Sequence, residues 1–196
     1  RQRQMCIRDR PPLALGRARE RGLRFLVAMQ VVPVWSGAAP PREPQHPWHV
    51  LRGWRWVDAS GKEQALRPGA LVSLDPCLPE VRQYVASVVL EVLRRYDIDG
   101  LVLVDARYPN DYPSVPRGDN GDPPQSERTL ALYRDATGLA PVDDVGAWRR
   151  WRATQLTELV RLVRDGARAV QGRARAPELI AEVLPDLETA RMQHQD

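Results

Sequence analysis

Apolar positions along this chain alternate between short unbroken runs and longer stretches in which they recur every three or four residues. Leu23 to Val34, Gly100 to Val104 and roughly Leu179 to Leu184 are runs of the first kind and predict strands. Val81, Val85, Val88, Val89, Val92 and Leu93 mark one face of a helix from about Leu78 to Arg95. Pro79 and Glu80 open it, where a missing N–H costs nothing and an acid meets the helix dipole favourably. Further helices are expected over Pro12 to Arg21 with Gly22 as its cap, over about Glu127 to Thr137 closed near Gly138, over about Ala147 to Val170, and from about Leu187 onward.

From the first strand on, the predicted order is βαβααβα. Loops that follow strands are long, Trp35 to Ser73 and Tyr108 to Ser126, whereas loops that precede strands are short. This asymmetry belongs to α/β folds, barrel or doubly wound, whose chemistry gathers at the carboxyl ends of parallel strands. The first long loop holds Pro40, Pro41, Pro44, Pro47 and Pro68, too many for a helix. It also holds Trp35, Trp48, Trp54 and Trp56, too many aromatics for a disordered linker.

Strand geometry singles out one acid. Asp105 follows Val104 at the far end of an apolar run, and Arg107-Tyr108-Pro109 turns the chain away from it. It reads either as a reacting or binding carboxylate or as an acid that caps the turn and pairs with Arg107. Glu182 interrupts the run Leu179-Ile-Ala-Glu-Val-Leu184. Buried there, it needs a partner or a raised pKa, which a general acid also requires; at a strand edge it is merely exposed. Asp75, just before Pro76, reads as a helix cap or loop anchor, or else as part of the site, and Asp186 reads as a cap.

Composition narrows the function classes. With 196 residues, 43% hydrophobic and 28% charged, the chain can build a core, which excludes disordered and collagen-like classes. No apolar run reaches the roughly 18 residues of a membrane-spanning helix. The net charge of +4 rests on arginines that lie beside acids on helix faces, with Lys62 the only lysine, so no nucleic-acid partner is expected. Cys6 and Cys77 make no metal or disulfide framework, and no acid or cysteine follows His46 and His49 at ligand spacing. No metal and no cofactor are therefore expected, and phosphate loops and nucleophile elbows are missing from the sequence. Residues 1–10 lack any hydrophobic period and read as a non-native sequencing scar. The chain stops inside an expected helix, so residues 11–196 read as an internal fragment of a larger domain.

Leu74-Asp-Pro-Cys-Leu-Pro-Glu-Val-Arg82, Tyr96-Asp-Ile-Asp-Gly-Leu101, Arg107-Tyr-Pro109 and Trp148-Arg-Arg-Trp-Arg152, in this order and spacing, resemble glycosyl hydrolase-like family ten, a bacterial family of (β/α)8 barrels. His46-Pro47-Trp48 is similar to an element of its long third loop, and Val183-Leu-Pro-Asp186 to the end of its fifth strand. The resemblance implies an α/β fold, a partial (β/α)8 TIM barrel holding about strands three to five with their helices. Such a piece alone would expose parallel edges and an apolar inner face, and is expected to be unstable or to aggregate.

The activity implied is cleavage of O-glycosidic bonds in a bacterial polysaccharide such as peptide-free peptidoglycan glycan, at the cell envelope or outside the cell. That chemistry takes two carboxyl groups, and Asp105 and Glu182 are the candidates. Sugars present C–H faces to aromatic rings and hydroxyls to polar groups, so Trp35, His46, Trp48, Asp75, Arg107 and Tyr108 are the candidate substrate-binding residues. The tryptophans equally suit a private core for the loop, and Trp148 and Trp151 read as helix packing. The chain departs from the family in one strand, where relatives commonly carry a histidine and a first aspartate and this chain has Val102 and Val104. Only the second acidic position is kept, as Asp105. The alternative reading is therefore a barrel that binds carbohydrate without cleaving it.

Overall fold

The computed structural model describes residues 12–108, 123–170 and 176–182. A helix over residues 12–20 (α1) leads into β1 (Leu26–Gln30), β2 (Pro33–Ser36), a short helix α2 (Pro47–Val50), a 3-10 turn (Arg52–Trp54) and β3 (Leu71–Ser73). Then come α3 (Pro79–Arg95), β4 (Gly100–Val104), α4 (Glu127–Thr137), α5 (Val145–Arg168) and β5 (Glu178–Ala181). The expected helix from Leu187, Asp186 and most of the second long loop lie outside the described residues.

Two sheets form. The larger is parallel, in the order β1-β4-β5, with Met29 opposite Leu103 and Leu103 opposite Ala181. The smaller pairs β2 with β3 antiparallel. Together with the helices on one face of the parallel sheet, this is the mixed α/β architecture expected of part of a TIM barrel; the described strands do not close. Side chains alternate along β4. Leu101 and Leu103 are buried on the face that meets α3 and α5, through Val81, Val85, Val89, Leu159 and Val163. Val102 and Val104, on the opposite face, are half-buried, and their neighbours Ala28, Gln30 and Ile180 are exposed. In a closed (β/α)8 barrel the helix-covered face is the outer one, so this open face is the one that would line the interior.

Local chemistry explains several boundaries. Ser126 caps α4 by accepting from the Thr129 N–H, Asp144 caps α5 by accepting from the Ala147 N–H, and Gly138 ends α4 in the left-handed conformation at φ 74°. Gly100 starts β4 because a Cβ there would sit 2.6 Å from the Glu178 carbonyl oxygen of β5.

Two expectations need correction. The run Leu23 to Val34 is not one strand. The Val31 N–H still donates to the Val104 carbonyl, but the Val32 carbonyl accepts from the Leu74 N–H, and Pro33 begins a second strand in a different sheet. The stretch Trp35 to Ser73 is not all loop either. Its last residues form β3, a strand of three residues whose partner β2 is more than thirty positions earlier in the chain, so its local pattern is too short to announce it.

Candidate active site

The parallel strands end together at Gln30, Val104 and Glu182. Gln30 is paired with Val104 in the register, and the Glu182 N–H donates to the Leu103 carbonyl at 3.0 Å, so Glu182 continues β5 alongside Val104. All three stand on the open face of the sheet. Asp105 comes next, and in a regular strand it would point to the helix side. Its backbone instead adopts φ 53°, left-handed and uncommon for any residue but glycine, asparagine or aspartate. With that twist its Oδ2 accepts from Gln30 Nε2 at 2.9 Å, while Arg107 stands 3.4 Å from Oδ1. The Asp105 side chain is 15% exposed, so it is held yet reachable.

Glu182 is exposed, the second of its two readings. It lies one residue past β5, the outer strand of the described sheet, where the face away from the helices has no cover. Gln30 is the residue that sequence reasoning missed. The signal was available, because Gln30 is the one polar residue between Phe25 and Val34.

The first long loop carries the aromatic candidates. Trp35 on β2 is half-buried, donates from Nε1 to the Ala39 carbonyl at 2.9 Å, and meets the His46 ring edge-on at 5.1 Å. His46 Nδ1 accepts from the Trp48 N–H at 3.1 Å, capping α2, which leaves Nε2 to carry the proton of the neutral ring. The Arg55 guanidinium lies 4.3 Å from the centre of the Trp48 ring and covers it, itself tied to Glu63 at 2.8 Å. Trp54 meets Tyr84 of α3 edge-on, so this loop aromatic packs against the main core. Trp148 is fully buried between Tyr133 and Trp151, the packing role expected of it.

Asp75 and Tyr108 sit inside the molecule. Asp75 is 0% exposed; Oδ1 accepts from the Cys77 N–H at 2.8 Å and Oδ2 from the Thr129 hydroxyl. Burial pushes its carboxyl up to about 6 from 3.8, against the opposing pull of the Thr129 and Cys77 hydrogen bonds and the Arg152 charge. The Tyr108 ring stacks on Trp56 at 5.9 Å and meets the Arg152 guanidinium at 4.2 Å. Its hydroxyl donates to the Arg152 carbonyl at 3.0 Å, and burial drives its pKa well up. Both are buried, Asp75 at 0% and Tyr108 at 5% exposure, so neither presents a surface to a sugar among the described residues. Among the described residues, no three His, Cys, Asp or Glu side chains gather as a metal site.

The glycosyl hydrolase-like 10 family model matches residues 8–179. The chain belongs to that family. The match takes in every candidate except Glu182, which lies three residues beyond it. Among solved structures, alpha-L-fucosidase isoenzyme 2 from Paenibacillus thiaminolyticus is similar to this glycosyl hydrolase-like chain with a TM-score of 0.51 and 20% identity, over 84% of the chain. The chain spans only 21% of the length of that structure, and at such identity the likeness shows the fold alone. No curated protein matches the sequence.

Proposed function

We propose that this chain carries part of the catalytic face of a glycoside hydrolase acting on a bacterial polysaccharide, with Asp105 as the central reacting carboxylate. The observation that carries the reading is the left-handed turn at Asp105 together with its bond to Gln30. Gln30 shares its level and face with Val104, the position where relatives place their first aspartate. The twist therefore brings the carboxylate of the following residue toward the side that the missing acid would have served. Strain of this kind persists where surrounding structure enforces it, and it is common where a side chain must be aimed.

Two donors, the Gln30 amide and the Arg107 guanidinium, face the Asp105 oxygens, an arrangement suited to a nucleophile or base that accepts hydrogen bonds. Glu182, open to solvent at the end of the neighbouring strand, is the proposed second carboxyl. The two act as a pair if their separation with substrate bound falls within about 5 to 9.5 Å, the span of retaining and inverting enzymes. Trp35, His46 and Trp48 of the long loop, and Arg107, are the proposed sugar contacts. Peptide-free peptidoglycan glycan is the substrate supported by the family resemblance. The test is release of reducing ends from that glycan by the full-length protein and by Asp105→Asn. Loss in a folded variant supports the reading, and unaltered release refutes Asp105.

A second reading has its own observation. Val104 removes one acid, and the other, Glu182, is exposed and outside the family match, which favours a barrel that holds glycan without cutting it. Binding without any reducing-end release in parent and variant alike would establish it.

A further inference from the structure

Behind the Asp105 turn runs a buried chain of polar contacts that links four parts of the fold. It begins at the α4 cap, where the Ser126 and Thr129 hydroxyls stand 2.8 Å apart, and passes from Thr129 to Asp75. From Asp75 it continues through the Cys77 N–H at 2.8 Å, then from Cys77 Sγ to the Tyr108 hydroxyl at 3.4 Å, and ends at the Arg152 carbonyl of α5 at 3.0 Å. Asp75, Cys77, Tyr108, Thr129 and Arg152 are all buried. Buried polar groups contribute little net stability beside an apolar core of the same shape, but fully satisfied they specify a single geometry.

Tyr108 is the member of this chain that lies three residues beyond Asp105. Asp105's own side-chain contacts are to Gln30, which is exposed, and to the half-buried Arg107 at 3.4 Å. Tyr108, by contrast, is held at its ring by Trp56 and the Arg152 guanidinium and at its hydroxyl by the Arg152 carbonyl. We propose that Tyr108 is a positioning residue for Asp105, its pinned ring and hydroxyl fixing the 105–108 turn that aims the Asp105 carboxylate across the strand ends. This rests on the reading of Asp105 as the reacting acid. Tyr108 itself touches no substrate, and the buried chain behind it sets where the turn begins and ends.

The test is Tyr108→Phe in the full-length protein, which keeps the ring packing and removes the hydroxyl. The Asp105 carboxyl carbon is followed by NMR through a pH titration, and glycan cleavage is followed by kinetics. The expected result is a shift of the Asp105 midpoint by about half a pH unit or more, with carboxylates outside the buried chain unmoved. It is accompanied by a fall in kcat of about tenfold at unchanged KM, as expected when a reacting group is misplaced. Tyr108→Leu, which also loses the stacking, changes both in the same direction and further. A folded Tyr108→Phe whose Asp105 midpoint equals the parent's overturns the proposal whatever the kinetics. If the parent cleaves no glycan, the proposed function fails, and the titration still decides the positioning role by itself.

Discussion

Two aspartates in this chain each follow a strand and each accept two hydrogen bonds, yet they live in opposite surroundings. Asp105 stands at the end of β4 with part of its side chain open, held by one amide and one guanidinium. Asp75 follows β3 and is sealed from solvent, held by a backbone N–H and a hydroxyl. The strand that carries each acid decides the difference. β4 belongs to the parallel sheet whose open face collects side chains at the carboxyl ends, whereas β3 belongs to a small antiparallel pair, and the acid after it is bound by Thr129 of α4. The same residue type is therefore open to solvent and proposed for chemistry in one place, and sealed within the structure in the other.

The comparison is broken most directly at the sealed end. Asp75→Ala leaves the Cys77 N–H and the Thr129 hydroxyl buried without their acceptor, and a loss of about 3 kcal/mol is expected in denaturant unfolding of the full-length protein. The charge of Asp75 has its own signature. Because burial raises its carboxyl to about 6 from 3.8, the folded protein keeps a proton in that interval which the unfolded chain has released. The contribution is therefore fully present below about pH 4 and is lost as pH rises through about 6, a change of about 3 kcal/mol from the two-unit shift. Asp75→Asn, which preserves the hydrogen-bonding shape, removes this slope; parallel stability curves for parent and variant would show that Asp75 is not titrating there.

A smaller effect sharpens the open end. Glu182→Gln removes an exposed carboxyl with no hydrogen-bond or ion-pair partner among the described residues, so stability stays within about 0.5 kcal/mol. Glycan cleavage falls about tenfold or more if Glu182 is the second acid. An unchanged rate would send the search for that acid beyond the described strands.

Regular elements were legible where local pattern and cap agree. β4 from Gly100 to Val104 and α4 from Glu127 to Thr137 follow the expected bounds, because an apolar run starting at glycine and a Ser126-to-Gly138 span both carry their own punctuation. β3 was not legible, since three apolar residues become a strand only when β2 is beside them. The position of Asp105 was legible from the end of its run, but its direction was not. Alternation along a strand puts it on the helix side, and the left-handed φ that reverses this goes with a contact to Gln30, 75 residues away in sequence. Gln30, Asp75 and Tyr108 took their roles from such long-range contacts, so residue type named them as polar or aromatic candidates without saying which would face a substrate.

The central claim is that Asp105 is a reacting carboxylate, and Asp105→Gly tests it most directly. Glycine adopts the left-handed backbone at no steric cost, so the substitution removes the carboxylate and spares the turn. Assayed on peptide-free peptidoglycan glycan with and without added formate, the folded variant is predicted to lose activity about a thousandfold. Formate, entering the vacated space as a small carboxylate, is predicted to restore part of it. Turnover equal to the parent's without formate would contradict the account.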